Sequence, residues 1–262
     1  MRPWGQIQPR LPNLEEAPLP VAVFHYTDAV GFKGIIESGR LWATDYRYLN
    51  DSSELRYIFN LARQEAEDIF RYEATTGLAH EFLRYIATAS PPYEDTVYRI
   101  CCFSELDNSL SQWRAYGGRQ GFSVGFPGDI TLKPGLADVP GRQGQTPGIT
   151  LLKVEYRAER HTEYVNALIR ELIELCGSSH MQDYEEIDVA ISHISPFYFA
   201  QLERASYRFK HPDFADEREW RLVSWGGQQQ EFFRVGATLT PYIEFRLFSA
   251  FHPNLNQTAC HL

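Results

Sequence analysis

The chain has 262 residues, of which 44% are hydrophobic, 14% aromatic and 23% charged, and its formal net charge at pH 7 is −9. This composition supports a packed core and excludes the disordered and fibrous classes, while the negative charge removes any general attraction to nucleic acid or anionic lipid. The sequence has no run of about 18 apolar residues, the length of a membrane span, and no signal-peptide pattern, so we expect a cytoplasmic protein.

The predicted elements begin after a proline-rich N-terminal arm. Five prolines within residues 1–20 exclude helix and inner strand there. We expect a single α+β domain over residues 21–262, which opens with a strand at residues 21–26.

A first helix follows this strand, with Thr27 or Asp28 as its N-cap and Gly39 as its stop. Its predicted buried residues share helical spacing: Val30, Phe32, Ile35 and Ile36. After a brief strand at residues 41–44, Asp51 and Glu54 have the spacing of a capping box and predict the start of a long helix.

The rest of the chain alternates between helical and strand patterns without regular βαβ units, which favours an α+β fold over a doubly wound one. Residues 127–148 are rich in Gly and Pro and predict a long loop. The helices are predicted near 55–70, 78–89, 109–116, 163–176 and 184–209, the last interrupted at Pro196, and the strands near 96–103, 121–126, 149–156, 218–225, 231–235 and 242–248.

Two polar residues end predicted strands and are candidate ligand contacts. His25 lies just before a helix N-terminus, where an imidazole can bind a ligand whose negative groups face the helix dipole. The alternative is an ordinary structural histidine. Ser104 can likewise contact a ligand or form a Ser/Thr turn.

Aromatic and acidic pairs supply the other candidates. Trp113 and Tyr116 are three residues apart on the short helix and can form an aromatic wall for a flat ring, or pack in the core. Glu217 and Glu219 are two apart on a predicted strand and therefore face the same side. Their mutual repulsion raises one pKa unless nearby cations or a ligand compensate it.

Several common kinds of site are absent from the sequence. It has no P-loop, dinucleotide fingerprint or nucleophile elbow, and its His and Cys residues lack metal-ligand spacing. We therefore expect no metal cofactor, and we interpret the four cysteines as reduced thiols, most of them buried.

A set of short segments in fixed order resembles a bacterial family catalogued as domain of unknown function 2971. The likeness covers about residues 22–225. The segments are Phe24-His25-Tyr26-Thr27, Leu41-Trp42-Ala43-Thr44, Leu49-Asn50-Asp51 with Glu54, Cys102-Phe103-Ser104-Glu105, Trp113 to Tyr116-Gly117, residues 121–126, and Lys210-His211-Pro212 with Glu219-Trp220-Arg221.

Three of these segments also resemble the three-part signature of ADP-ribosyltransferases, which implies a mixed, mainly antiparallel split sheet and NAD as co-substrate. In that superfamily the first motif holds NAD, the serine of the second braces the pocket, an aromatic stacks on nicotinamide, and the last glutamate contacts the nicotinamide ribose. The resemblance assigns these roles in turn to His25 with Tyr26 and Thr27, to Ser104, to Trp113 or Tyr116, and to Glu219, with Glu217 positioning the acceptor. Glu217 and Glu219 can exchange roles. The resemblance also requires strands from the two ends of the domain to be neighbours, so we expect His25, Ser104, Trp113 and Glu219 to converge on one cleft.

The resulting hypothesis is an NAD-dependent ADP-ribosyltransferase, acting as a toxin or antiviral effector on a protein or single-stranded nucleic acid, with an inhibitory partner left unidentified. One alternative is a non-catalytic module of the same fold that binds a nucleotide, a peptide or a nucleic-acid end. Another is a magnesium-dependent nuclease that uses Asp51, Glu54, Glu217 and Glu219.

The acceptor depends on whether a group of arginines is free. Free and clustered arginines predict a nucleic-acid or phosphorylated acceptor, whereas arginines paired with neighbouring acids predict a protein or a small molecule. The five are Arg40, Arg47, Arg56, Arg114 and Arg119.

Overall fold

A computed structural model of the chain describes residues 17–49, 52–89, 98–118, 120–129, 132–134, 148–178, 181, 184, 186–225, 231–235 and 239–247. The chain divides into two compact units. We call residues 53–93 and 155–212 the helical unit, and residues 16–52, 94–154 and 213–262 the sheet unit. The expected single domain stays a prediction, and most of the expected N-terminal arm lies outside the described residues.

The helices and strands occur close to their predicted positions, apart from a three-residue strand at Leu132–Pro134 inside the segment predicted as a long loop. The helices are α1 (Ala29–Ser38), α2 (Ser52–Tyr72), α3 (Gly77–Thr88), α4 (Leu110–Tyr116), α5 (Ala158–Cys176) and α6 (Ile187–Ser206), and the strands are β1 (Ala22–Asp28), β2 (Arg40–Asp45), β3 (Arg99–Ser104), β4 (Gly121–Pro127), β5 (Leu132–Pro134), β6 (Gly148–Lys153), β7 (Glu219–Trp225), β8 (Phe232–Val235) and β9 (Leu239–Leu247). Short 3₁₀ helices occupy Tyr46–Tyr48 and Pro212–Glu217.

Apolar residues at helical spacing form the core of the helical unit. In α2, Ile58, Ala62 and Ala66 are fully buried and pack in one cluster with residues of α3, α5 and α6. The predicted break at Pro196 is wrong, because α6 continues through this proline. A proline inside a helix costs about 3 kcal/mol, and the buried side chains on either side of Pro196 offset that cost through packing.

A buried histidine joins elements within the helical unit. His161 of α5 is fully buried, and its Nε2 donates to the Glu155 carbonyl oxygen at 2.8 Å. Because that carbonyl can only accept, Nδ1 of the neutral ring accepts from the Tyr57 hydroxyl at 2.9 Å. Burial lowers the pKa of His161 below its ordinary value. Among the described helices, none is long and apolar enough to cross a membrane.

The sheet unit contains all nine described strands in one sheet, and every strand pair is antiparallel. The predicted α+β class with a mainly antiparallel sheet is therefore confirmed. The central path runs β4-β1-β3-β2-β9-β5, while β7 pairs with β3 and β6, and β8 pairs with β9.

The sheet divides at the middle of β3. One edge of β3 pairs with β7 along its whole length. On the other edge, β2 pairs with Arg99 and Ile100, whereas β1 pairs with Ser104. If either pairing continued along this edge of β3, it would reach Cys102. Two strands cannot pair with the same residue on one edge, so β1 and β2 separate there.

Side-chain alternation gives the sheet two distinct faces. The core face carries Val23, Leu41, Phe103 and Leu222 in one buried cluster that includes Ile35 of α1. The opposite face, which we call the polar face, carries the side chains that alternate with these.

Helix α1 begins and ends as its sequence predicts. Asp28 is the N-cap, and Gly39 ends the helix in the left-handed conformation at φ 61°. Its predicted buried side is only partly correct, because Ile35 is buried but Val30 and Ile36 are 78% and 48% exposed. Only one narrow stripe of this ten-residue helix packs against the sheet, so its other apolar residues face outward.

Candidate functional site

The three segments singled out in the sequence lie on neighbouring strands. Phe24 of β1 pairs with Ser104 of β3, and Ser104 pairs with Glu219 of β7. Strands near the two ends of the chain therefore flank β3, as the resemblance requires. The three positions meet beside the point where β1 and β2 separate.

The candidate residues do not all face the same way. Because directly paired residues share a face and neighbours along a strand alternate, Ser104, Glu219 and Tyr26 project to the polar face. His25 and Thr27 project to the core face. The expectation that His25 converges with Glu219 on one cleft is therefore wrong, since that expectation needed a strand register that the sequence alone does not contain.

His25 bonds to β3 at the core side of the gap that the divided sheet leaves. Its Nδ1 donates to the Cys102 carbonyl oxygen at 2.8 Å, at the level where β1 and β2 diverge. Its ring lies edge-on to Phe103 with a centroid distance of 5.7 Å. Burial lowers the pKa of His25, which favours the neutral ring. His25 thus stabilises the opening in the sheet from its core side.

Tyr26 anchors the loop that follows β3. Its hydroxyl donates to the Leu106 carbonyl oxygen at 2.7 Å and accepts from the Ser109 backbone N–H at 2.8 Å. Its ring packs edge-on against Trp113 of α4 at 4.7 Å. The side chain is only 5% exposed, so Tyr26 shapes the wall of the polar face through these contacts.

The predicted aromatic wall is divided between packing and solvent. Trp113 is half-buried, packs on Tyr26 and donates from Nε1 to Asn108 Oδ1 at 2.8 Å. Tyr116 is 37% exposed. A Cβ added at Gly117 would lie 2.7 Å from the Trp113 carbonyl oxygen, so the end of α4 requires glycine at this close approach.

The two acidic candidates occupy different kinds of backbone. Glu217 ends a 3₁₀ helix, Arg218 adopts a positive φ of 44°, and β7 begins at Glu219. The prediction that Glu217 and Glu219 face the same side of a strand is wrong, because period-two alternation holds only within a strand. Glu217 is half-buried, whereas Glu219 is 3% exposed.

Glu219 forms a buried, two-pronged ion pair with Arg221. Its Oε1 accepts from Arg221 Nε at 2.8 Å and its Oε2 accepts from Nη2 at 2.9 Å. The side chains are 4% and 2% exposed. The planar fork of Arg221 therefore holds the Glu219 carboxylate in one orientation. Cys102 lies opposite Arg221 on the same face. Burial, followed by the nearby Glu219 charge, raises the pKa of the Cys102 thiol well above the ordinary value.

Ser104 joins the two loops at this end of the sheet. Its hydroxyl donates to the Glu217 carbonyl oxygen at 2.7 Å and accepts from the Leu106 backbone N–H at 3.1 Å. The residue is fully buried. Of the two roles that the sequence left open for Ser104, the structure shows the turn, and its hydroxyl also braces the backbone next to Glu219; the ligand contact stays a prediction.

Sequence reasoning missed a second charged group beside this brace. Glu105 Oε1 accepts from Lys153 Nζ at 2.6 Å and from Trp220 Nε1 at 2.9 Å. Burial alone would raise the pKa of Glu105, but these two donors outweigh it and leave the pKa below its usual value. Since the partners come from β6 and β7, no local spacing reveals the group.

Two of the five arginines on which the acceptor prediction depends form ion pairs. Arg40 bonds to Glu244, and Arg47 binds both carboxylate oxygens of the fully buried Asp45, at 3.0 and 2.7 Å. Arg114 is exposed, Arg56 lies in the helical unit, and Arg119 lies outside the described residues.

Comparison with known proteins supports one of the two resemblances. Residues 112–222 match the family described as "Protein of unknown function (DUF2971)". The resemblance to that family is confirmed. The match includes Trp113, Tyr116, Glu217 and Glu219 but stops short of His25 and Ser104. No curated protein and no solved structure matches the chain significantly.

No metal centre is evident where side chains can be placed. In the part of the chain that the structure describes, no three His, Cys, Asp or Glu residues form a group that could hold a metal ion. Asp51 and the Glu54 side chain, both named for the nuclease alternative, fall outside that part. The expectation of a metal-free reaction stays a prediction.

Proposed function

We propose that the chain is an NAD-dependent enzyme of the ADP-ribosyltransferase type, in which Glu219 is the catalytic carboxylate. One observation carries the proposal. Glu219 is the first residue of β7 and lies opposite Ser104, two residues along β3 from the level where β1 and β2 separate. A divided, mainly antiparallel sheet with a glutamate beside the serine of the second motif supports the proposal for the second and third motifs, while His25 of the first motif lies on the opposite face.

In the proposed reaction, the bond between the nicotinamide nitrogen and C1′ of the ribose breaks. The bonding electrons leave with nicotinamide, and the ribose becomes oxocarbenium-like. A carboxylate beside the sugar stabilises that positive charge, as in glycoside cleavage. The acceptor then forms a bond to C1′ and loses a proton, for which Glu217 is the candidate base.

Arg221 is a positioning residue in this scheme. Its guanidinium fork fixes the Glu219 carboxylate, so little reorientation is needed when charge develops on the ribose. The same fork also compensates part of the negative charge. We therefore expect ligand binding to weaken at least one of the two hydrogen bonds between Arg221 and Glu219.

The paired arginines favour a protein or small-molecule acceptor. Arg47 is held by both carboxylate oxygens of the buried Asp45, which keeps it from the phosphate backbone of an acceptor. Transfer of label to total protein and to total RNA, at low and high salt, tests this choice. Label on RNA that disappears at high salt would contradict it.

The decisive experiment is incubation with NAD labelled in the nicotinamide ring. We expect nicotinamide release from the wild type and a loss of about a hundredfold or more in Glu219→Gln, the typical effect of removing one electrostatic partner. Glu217→Gln is the matched control for the release step. Equal release by wild type and Glu219→Gln would refute the proposed role.

The buried state of the candidate groups favours a second function, that of a nucleotide-binding module without catalysis. Protein partners already occupy the Glu219 carboxylate and the Ser104 hydroxyl. In that case NAD or a related nucleotide binds, as calorimetry would show, but no nicotinamide is released. The nuclease alternative predicts instead that a chelator abolishes cleavage of nucleic acid.

A further inference from the structure

Three aromatic side chains stack across neighbouring strands on the polar face. Trp42 of β2 stacks on Tyr242 of β9 with a centroid distance of 4.4 Å and an interplanar angle of 28°. Tyr242 in turn stacks on Phe232 of β8 at 5.7 Å and 27°. We call these three rings the aromatic ladder.

Cross-strand aromatic pairs stabilise many sheets, and this explains the inner ring. Tyr242 is 8% exposed because it has a ring on either side. Trp42 is different, since 40% of it is exposed although it lies on an inner strand. The ladder therefore ends in an indole that packing within the sheet does not cover.

The divided sheet explains why the indole stays exposed. Strand β2 pairs with β3 through Thr44 and Asp45, and then leaves it. If this pairing continued, Trp42, two residues before Thr44, would lie opposite Cys102, but β1 and β2 diverge at this level. The opening in the sheet thus lies beside the free end of a ring stack, where another flat ring can extend the stack.

Charged groups beside Trp42 suit the rest of a nucleotide. Arg40 lies two residues away on the same face and is paired with Glu244, which is opposite Trp42 in the register. The side chain of Arg40 is 35% exposed and that of Glu244 is 15% exposed. A guanidinium binds phosphate, and a carboxylate accepts hydrogen bonds from ribose hydroxyls.

We propose that the Trp42 end of the aromatic ladder is a binding subsite for the purine ring of a nucleotide, with Arg40 as the phosphate ligand. The ring stacks on the indole, in the way that bases stack on aromatic side chains in nucleotide-binding sheets. The phosphate replaces Glu244 as the partner of part of the Arg40 guanidinium. The free carboxylate oxygen then accepts from the ribose.

The subsite lies within reach of the proposed catalytic residue but does not depend on it. Cys102 and Arg221 share one level of the sheet, and the extended register places Trp42 at that level too. From Trp42 on β2 to Arg221 on β7 there are two strand spacings, or about 10 Å, and the divergence of β2 from β3 makes the distance longer. One dinucleotide can bridge such a distance, and a mononucleotide can fill the subsite alone.

The test is calorimetric titration of the full chain with adenosine, AMP, NAD and an eight-residue oligoadenylate. We expect AMP and NAD to bind the wild type, and Trp42→Leu to weaken both by about tenfold or more, as loss of a stacked base does elsewhere. The matched control is Trp225→Leu, because Trp225 is 37% exposed on the end of β7 and is not part of the ladder. Trp42→Phe keeps a ring and should bind within a few-fold of wild type.

A second variant separates the phosphate contact from the stacking contact. Arg40→Gln should weaken AMP severalfold while leaving adenosine unchanged. If only the oligoadenylate binds, and Trp42→Leu weakens it, the purine comes from a nucleic-acid strand. If no purine ligand binds the wild type, or if Trp42→Leu and Trp225→Leu behave alike, the subsite is refuted. Nicotinamide release is scored separately, so binding without release contradicts the proposed enzyme and not the subsite.

Discussion

The buried pair of Glu219 and Arg221 leads to a prediction about stability that does not depend on any activity. In Glu219→Gln, the amide oxygen can still accept one N–H of Arg221, but the negative charge and the second acceptor are lost. Both side chains are almost fully buried. Breaking a buried pair from one side costs about 3–5 kcal/mol, and the retained acceptor places this variant near 3 kcal/mol. Domains are typically stable by about 5–15 kcal/mol, so Glu219→Gln should fold with reduced stability.

Removing both charges should restore much of that loss. The double variant Glu219→Met with Arg221→Met fills the same space with unbranched apolar chains and leaves neither partner charged. Replacement of a buried ion pair by apolar residues of similar volume is often neutral or stabilising. We expect its free energy of unfolding to be at least 1 kcal/mol above that of Glu219→Gln.

Urea unfolding followed by circular dichroism measures both values. The control is Glu37→Gln, which makes the same chemical change in the exposed pair with Lys33, where the side chains are 61% and 70% exposed. That change should cost under about 0.5 kcal/mol. The reasoning is refuted if Glu219→Gln costs no more than Glu37→Gln, or if the double variant is less stable than Glu219→Gln. A stable double variant without nicotinamide release would also separate loss of chemistry from loss of fold.

Three further predictions concern packing, pH and thiol reactivity. Gly117→Ala should cost about 1–3 kcal/mol in the free energy of unfolding, because its Cβ meets a backbone carbonyl oxygen, whereas Gly34→Ala, with open space inside a helix, should gain up to about 1 kcal/mol. Burial holds the pKa of His161 below 6.5, so the unfolded chain binds more protons below that pH and the free energy of unfolding should fall on acidification. His161→Gln should reduce the dependence of that free energy on pH by up to about 1.4 kcal/mol per pH unit. Burial raises the pKa of Cys101 and of Cys176 to about 12, so in a variant that keeps only these two cysteines, alkylation at pH 8 should be slow in buffer and fast in urea.

Local signals in the sequence predicted most of the elements. Asp28 and Gly39 bound α1 as predicted, because an N-cap carboxylate and a left-handed glycine act on the adjacent backbone alone. The buried stripe of α2 followed from helical spacing in the same way. Pro196 was misleading, since the packing that retains it inside α6 comes from distant residues.

The candidate site was less predictable because it depends on register between distant segments. That β1, β3 and β7 are neighbours followed from the resemblance, but the face on which each side chain lies did not. His25 and Glu219 lie on opposite faces because Phe24, and not His25, pairs with Ser104. A shift of one residue in that pairing would have reversed the result.

The aromatic ladder shows the same limit. Trp42 and Tyr242 are two hundred residues apart, and Phe232 reaches Tyr242 only through the β8–β9 pairing. In the sequence, each of these three residues is an ordinary aromatic residue of a predicted strand. Only the exposure of Trp42, which depends on where β2 leaves β3, distinguishes a stacking surface from ordinary packing.

The backbone at Arg218 accounts for the different surroundings of the two glutamates. A non-glycine residue at positive φ costs about 1–2 kcal/mol, and it persists only where neighbouring structure holds it. Here the end of β3 holds both sides, because the Glu105 N–H donates to the Arg218 carbonyl oxygen at 3.0 Å and the Ser104 hydroxyl donates to that of Glu217. The turn ends the 3₁₀ helix and starts β7 within one residue. Glu219 is consequently directed into the buried pair, while Glu217 stays half-buried outside the strand.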